Sequence, residues 1–120
     1  MSGIGAAARV PIGVWRSMPE TRALATQAIR EIVDVASARG VDLGGDAAIE
    51  RTLARFDGLT ADATSSLQRD IMDGKPSELD AQLGAVVRMA AESGVAVPVC
   101  DFMYRALLPQ ETHARLSSRA

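Results

Sequence analysis

"ATSSLQRDIMDGKPSELDAQLGAVV", residues 63–87, decides how this chain is read. Two adjacent serines, Ser65 and Ser66, stand ahead of an apolar run that breaks at Asp73-Gly74-Lys75-Pro76. The chain restarts at Ser77-Glu78, with Leu79, Leu83, Val86 and Val87 at helical spacing. Proline has no N–H to donate and glycine accepts left-handed backbone, so the break ends one helix. Ser77 with Asp80 three residues on is a weak capping box that opens the next. Two helices folding back on one another could bring Ser66 and Glu78, twelve residues apart, to one cleft. A plain helix–turn–helix satisfies the same letters, with a surface serine and an acid that favours the helix dipole.

The flanking segments follow the same grammar. "PETRALATQAIREIVDVASARG", residues 19–40, carries Leu24, Ala28, Ile32 and Val35 on one stripe with Ile29 and Ala36 beside it. Ser17 and Glu20 are spaced as a capping box, and Gly40-Val41 as a Schellman stop. "DAAIERTLARFDG", residues 46–58, predicts a second helix capped by Asp46, with Ile49, Leu53 and Phe56 inward. Thr60 is expected to cap a third helix running to about Asp73. The last is expected from Pro98, with Phe102, Met103, Ala106 and Leu107 apolar, until Pro109. The polar tail from Gln110, His113 included, is expected to fray into solvent. No alternating stretch of useful length appears, so the chain is predicted all-α, a single domain over residues 1–120 of five to six helices.

Composition agrees. Of 120 residues, 48% are hydrophobic and 23% charged, as in folded domains, while only 3% are aromatic. Ala, Leu, Val, Ile and Met must fill the core, which favours close-packed helices over a barrel or sandwich. The formal net charge of −2 and the scattered arginines, with Lys75 the one lysine, argue against nucleic acid as a partner. A single cysteine, Cys100, excludes an internal disulfide, and with one histidine there is no metal-ligand spacing. Cys100 itself suits a small buried hydrophobe. No run is long enough to span a bilayer, so no membrane partner is expected and a cytoplasmic location fits.

The start is the odd part. "SGIGAAARVPIGVW" carries Gly3, Gly5 and Gly13, and each glycine inside a helix costs about 1 kcal/mol relative to alanine. A helix from Met1 would have no N-cap and too few turns to hold alone. It has the character of the tail of a longer helix.

Three blocks in order, "RVPIGVWRS…PETRAL", "DATSSLQRDIMDGKPSELDAQLGAVVR" and "SGVAVPV…Y", carry a resemblance. From about Ser2 to Leu108 the chain resembles the C-terminal domain of ketopantoate reductase, the NADPH-dependent 2-dehydropantoate 2-reductase family. The domain is of the kind found in 6-phosphogluconate-dehydrogenase-like reductases. The "SSLQRD…GKPSEL" block is its specific part. The resemblance implies an N-terminal Rossmann domain that holds NADPH and closes on the helical domain around a 2-oxo acid in pantothenate biosynthesis. It implies that Ser66 binds the substrate carboxylate. Glu78 is implied to contact the hydroxyl end and support the catalytic geometry, and Ser2 falls where many members carry an asparagine lining the cleft. The family's catalytic lysine falls ahead of "SGIGAAAR", and Lys75 lies in a different motif. "GIGAAA" follows no strand and is not a dinucleotide-binding turn, so no cofactor is expected on this chain alone. Leu83 and Cys100 stand where asparagine is frequent, which points to a different, bulkier 2-oxo acid as another substrate.

Two function classes therefore compete: a substrate domain inactive by itself, and a stand-alone helical module whose role is to pair. In either, a homodimer is expected, through an Ile4/Val10/Ile12 edge and the cleft side of the third and fourth helices laid bare.

Overall fold

The computed structural model describes residues 1–118, and among these every regular element is helical. Seven α-helices and one π-helical turn follow one another: α1 (Ser2–Ala8), α2 (Ile12–Trp15), α3 (Pro19–Ala38), α4 (Asp46–Asp57), α5 (Ser66–Met72), the π-turn (Asp80–Gly84), α6 (Ala85–Ser93) and α7 (Pro98–Ser118). The molecule is a slab whose shortest extent is 20 Å, the depth of two helices. The long α3 and α7 pack together; α4 and α6 lie against α3, α1 lies against α5 and α7, and the π-turn rests on α7.

The all-α expectation holds, and so do several helix stops. Gly40 takes φ +83°, and Val41 N–H reaches back to Ala36 O at 2.8 Å, the bond that closes a Schellman motif. Ile49 and Phe56 are buried as expected of α4, and Trp15 meets Phe56 edge-on at 5.6 Å.

Other expectations fail for identifiable reasons. The third helix starts at Ser66 rather than near Thr60, because the carbonyls of Ala61 and Ala63 accept the Gly13 and Ile12 N–H groups that open α2. Spent there, they cannot enter a helical ladder. Ser65 is the cap, its Oγ accepting from Gln68 N–H at 3.1 Å. The Ser17–Glu20 box does not form, since Ser17 Oγ donates to Gly13 O, and Gly45 rather than Asp46 caps α4. The last helix runs through Pro109 to Ser118. Pro109 faces outward, and the turn beyond it is anchored by buried Glu111 and Ala114.

The α3 stripe is also displaced. Leu24 and Ile32 are 47% and 41% exposed, whereas Glu31, at 1%, lies inside with Ala25, Ala28 and Val35. On α7, Met103 and Leu107 are buried, but Phe102 is 73% exposed. The Ile4/Val10/Ile12 edge is not bare: Ile4 and Ile12 are buried. The glycines of α1 explain themselves by contact. A Cβ on Gly5 would collide with Gln68 Oε1, so this short helix is held by close approach to α5, not by its own propensity.

Candidate functional site

Two buried carboxylates organise the region where the expected site residues lie. Glu31 Oε1 accepts from Cys100 N–H at 2.8 Å, and Oε2 accepts from Val99 N–H at 3.0 Å and Gln27 Nε2 at 3.1 Å. Pro98 has no N–H and Asp101 N–H already bonds Val97 O, so the Val99 and Cys100 N–H groups are the free donors of the first turn of α7, and a side chain of α3 caps it from outside. Glu111 reaches 34 residues back to the residue that precedes a helical turn: it accepts from Ser77 N–H at 2.8 Å and Ser77 Oγ at 2.7 Å, while Ser77 Oγ accepts from Leu79 N–H at 3.2 Å. Arg115 completes the clamp, with Nε on Glu111 at 3.1 Å and one terminal nitrogen on Ser77 O at 2.7 Å.

Ser77 is thereby fixed, and the next residue is Glu78. Its carboxylate is exposed, and its Oε2 accepts from Gln82 Nε2 at 3.4 Å. The chain then enters the π-turn, a wide helical turn that recurs at functional positions. Gln82 and Leu83 sit within it. They line a cavity of about 290 Å³ whose other walls include Met1, Ser2 and Ile4, Ala28, Ile29 and Ile32 of α3, and Met103 of α7. The structure thus brings Ser2 and, through Gln82, Glu78 to one place. Ser66 stands apart: it is the exposed first residue of α5, is not part of that cavity, and among the described residues no hydrogen bond joins it to Glu78.

Beside the π-turn, Asp80 Oδ1 accepts from Tyr104 Oη at 2.8 Å and from Arg88 at 3.0 Å. The hydrogen bond from Tyr104, then that from Arg88, holds the Asp80 carboxyl below the usual carboxylate range; the same bond to Asp80 pushes the Tyr104 phenol up. Cys100 is fully buried at the back of the cavity. Burial first, then the Glu31 charge, pushes its thiol up to about 12, so it is a neutral wall and not a nucleophile.

The profile described as "Ketopantoate reductase PanE/ApbA C terminal" matches residues 1–111. The chain belongs to the ketopantoate reductase family. Among family relatives, a 2-dehydropantoate 2-reductase of Pyrobaculum aerophilum is 32% identical over 112 residues, which are 93% of this chain and 39% of that enzyme. Another, from Caulobacter vibrioides, is 36% identical over 70 residues, 58% of this chain and 24% of that one. This ketopantoate reductase domain therefore spans well under half the length of the relatives it matches. In fold it is similar to a dimeric ketopantoate reductase of Staphylococcus aureus, with a TM-score of 0.88 at 24% identity over 93% of this chain and 39% of that one. It is also similar to a D-mandelate dehydrogenase solved with NADH and anilino(oxo)acetate, with a TM-score of 0.82 at 23% identity over 96% and 64%.

NADPH, which the family implies, does not fit the described residues of this domain. A dinucleotide pyrophosphate needs glycines in an open turn between strand and helix. Here Gly3 and Gly5 are buried inside α1, facing Met103 and Gln68. The chemistry open to these residues is binding and orientation. Glu78 can accept from a hydroxyl, Gln82 can donate and accept, and the apolar cavity can exclude water.

Sequence reasoning missed Gln82, Glu31 and Glu111. Gln82 was within reach, being one helical turn after Glu78. Glu31 lies on the apolar stripe, three residues after Ala28 and four before Val35, and Glu111 likewise between Leu107 and Ala114. An acid in that register signals a buried acceptor with donors of its own.

Proposed function

We propose that this chain is the substrate-binding domain of a cytoplasmic reductase that converts a 2-oxo acid to a 2-hydroxy acid. Its hydride comes from NADPH held on a separate Rossmann domain, and its product feeds pantothenate biosynthesis. The match to the ketopantoate reductase C-terminal domain over residues 1–111 carries this reading. Glu78 accepts from the hydroxyl end of the substrate, Ser66 donates to its carboxylate, and Ser2 borders the cleft. Alone, the chain binds no NADPH and turns nothing over.

The test joins the chain behind the N-terminal part of the Pyrobaculum aerophilum relative and follows NADPH consumption with 2-dehydropantoate. Glu78→Gln is expected to lower kcat by about a hundredfold, the size of a lost acid–base or orienting group. Ser66→Ala is expected to raise KM with a smaller effect on kcat. A chimera that binds NADPH and melts cooperatively, yet reduces no 2-oxo acid, overturns the proposal.

A second reading, a helical module whose role is to pair with a copy of itself, is favoured by one observation. Phe102, Leu24 and Val99 border an almost wholly apolar hollow of about 310 Å³ between α1, α3 and α7. Monomers rarely leave contiguous apolar surface of that kind uncovered. Sedimentation equilibrium with the wild type and Phe102→Glu separates the two: a dimer that Phe102→Glu dissolves supports pairing, and a monomer in both removes it.

A further inference from the structure

The side chain of Glu78 has little to orient it. It is exposed, and the hydrogen bond it accepts from Gln82 is long, at 3.4 Å. Its backbone, by contrast, is held on both sides. Leu79, the next residue, is 0% exposed, and its N–H donates to Ser77 Oγ. Ser77, the residue before, has each of its three polar groups bonded to α7. Its N–H and hydroxyl donate to Glu111, and its carbonyl accepts from Arg115.

The bond to the carbonyl is the informative one. An acid that only closed a helix start would satisfy N–H groups, and a carboxylate does that alone. The Ser77 carbonyl is an acceptor, and it belongs to the peptide plane that ends at the nitrogen of Glu78. Arg115 reaches Glu111 and this carbonyl at once because its guanidinium is a planar fork of donors. No helical ladder does the same work, since Lys75, Pro76 and Ser77 lie in no helix. The direction in which Glu78 leaves the chain is therefore set from α7.

We propose that Glu111 and Arg115 are positioning residues of the reduction, which act through Ser77 to aim the Glu78 carboxylate at the substrate. The inference rests on the reading of Glu78 as the group that meets the hydroxyl end of the substrate, and adds what holds it there. A displacement of about 1 Å at a reacting group costs about a hundredfold in rate, so a tether one residue away is felt in kcat. Ser66, on α5, is not tied to the clamp, so binding through it is little affected.

The experiment uses the chimera with the N-terminal part of the Pyrobaculum aerophilum relative, and reads kcat, KM and melting temperature together. Arg115→Ala is expected to lower kcat about tenfold and Glu111→Ala about thirtyfold, with KM within about twofold in both. Half of the Arg115 side chain is in water, so that variant serves if Glu111→Ala fails to fold. Arg115→Lys keeps the charge without the fork and should recover only part of the loss. Phe56→Leu, in α4, controls for lost stability and is expected to melt earlier with kcat unchanged. The deciding measurement is a pair of substitutions. Once Glu78→Gln is in place, Arg115→Ala should lower kcat no further, because aim has no effect without the group that is aimed. Additive losses in the double variant, or wild-type kcat in Arg115→Ala, would overturn the proposal and leave Glu78 in its role. A Glu78→Gln enzyme as fast as wild type would remove that role and the positioning with it. A chimera that reduces no 2-oxo acid overturns both.

Discussion

Glu31 and Glu111 perform one task with different help. Each is a carboxylate of a long helix, buried to within 3% exposure, that accepts from donors far away in sequence: Glu31 from two first-turn N–H groups of α7, Glu111 from the N–H and hydroxyl of Ser77 just ahead of the next helical turn. Glu111 has a cation: Arg115, with half of its side chain in water, bridges both the carboxylate and Ser77 O. Glu31 has only neutral donors, the N–H groups of Val99 and Cys100 and the amide of Gln27. A carboxylate buried without a counter-ion persists only where several aligned dipoles replace water around it. The Glu31 end is therefore the rigid one, because its backbone donors at Val99 and Cys100 cannot turn outward and be solvated, and only the exposed Gln27 amide can. The Glu111 end can be opened toward solvent, and it is the end that carries Glu78 into the candidate site.

The largest expected effect comes from breaking the rigid end. Glu31→Ala leaves without acceptors the N–H groups of half-buried Val99 and of Cys100, which is 0% exposed, and is expected to destabilise by about 3–5 kcal/mol in urea unfolding. Glu31→Gln keeps one acceptor oxygen and should fall between that variant and wild type. Destabilisation by Glu31→Ala below that of Glu111→Ala would break the comparison.

Glu111→Ala is expected to lower stability less, by about 2–3 kcal/mol, because Arg115, half in solvent, can take water in its place. Its signature is local. The amides of Ser77 and Leu79 should exchange faster by hydrogen exchange while those of Val99 and Cys100 stay slow. Uniform loss of protection over both ends would mean that the two clamps form one unit, and the distinction drawn between them would fall.

Neither clamp could be drawn from the sequence, although much around them could. Helix class, the stop at Gly40 and the inward face of α4 follow from local rules, in which each residue answers to neighbours three or four positions away. Glu31 answers to residues 68 and 69 positions away, and Ser77 to one 34 away. Periodicity holds no record of such partners. The same limit shifted the α5 start, where Ala61 and Ala63 had already given their carbonyls to α2. At the candidate site, motif resemblance marked Glu78 and Ser2, yet the cavity beside them depends on a π-turn, an inserted residue that a 3.6-residue pattern passes over. Leu24 and Ile32 look like core by spacing and line open hollows instead, because α3 presents more apolar surface than its neighbours cover.

The smallest effect isolates the charge on Glu31. Cys100 lies at that end, and its thiol is pushed from 9.0 up to about 12, by burial first and the Glu31 carboxylate second, with the amino terminus opposing. The sign follows from proton counts. Above pH 9 the unfolded chain releases the thiol proton and the folded chain does not, so stability is full below that pH and declines as pH rises toward the folded value. At pH 10 the loss is on the order of 1 kcal/mol, roughly tenfold in the folding equilibrium. Tyr104, also pushed up, adds its own decline at still higher pH, so the measurement is a difference: urea unfolding from pH 8 to 10.5 for wild type and for Cys100→Ala, which retains Tyr104. The alkaline slope should be steeper in wild type. Glu31→Gln should make it shallower without abolishing it, since burial remains when the charge is gone. An unchanged slope in Glu31→Gln would mean that the carboxylate is not felt at the thiol. Glu31 would then be shielded by its donors as completely as Glu111 is by Arg115, and the two ends would differ in geometry alone.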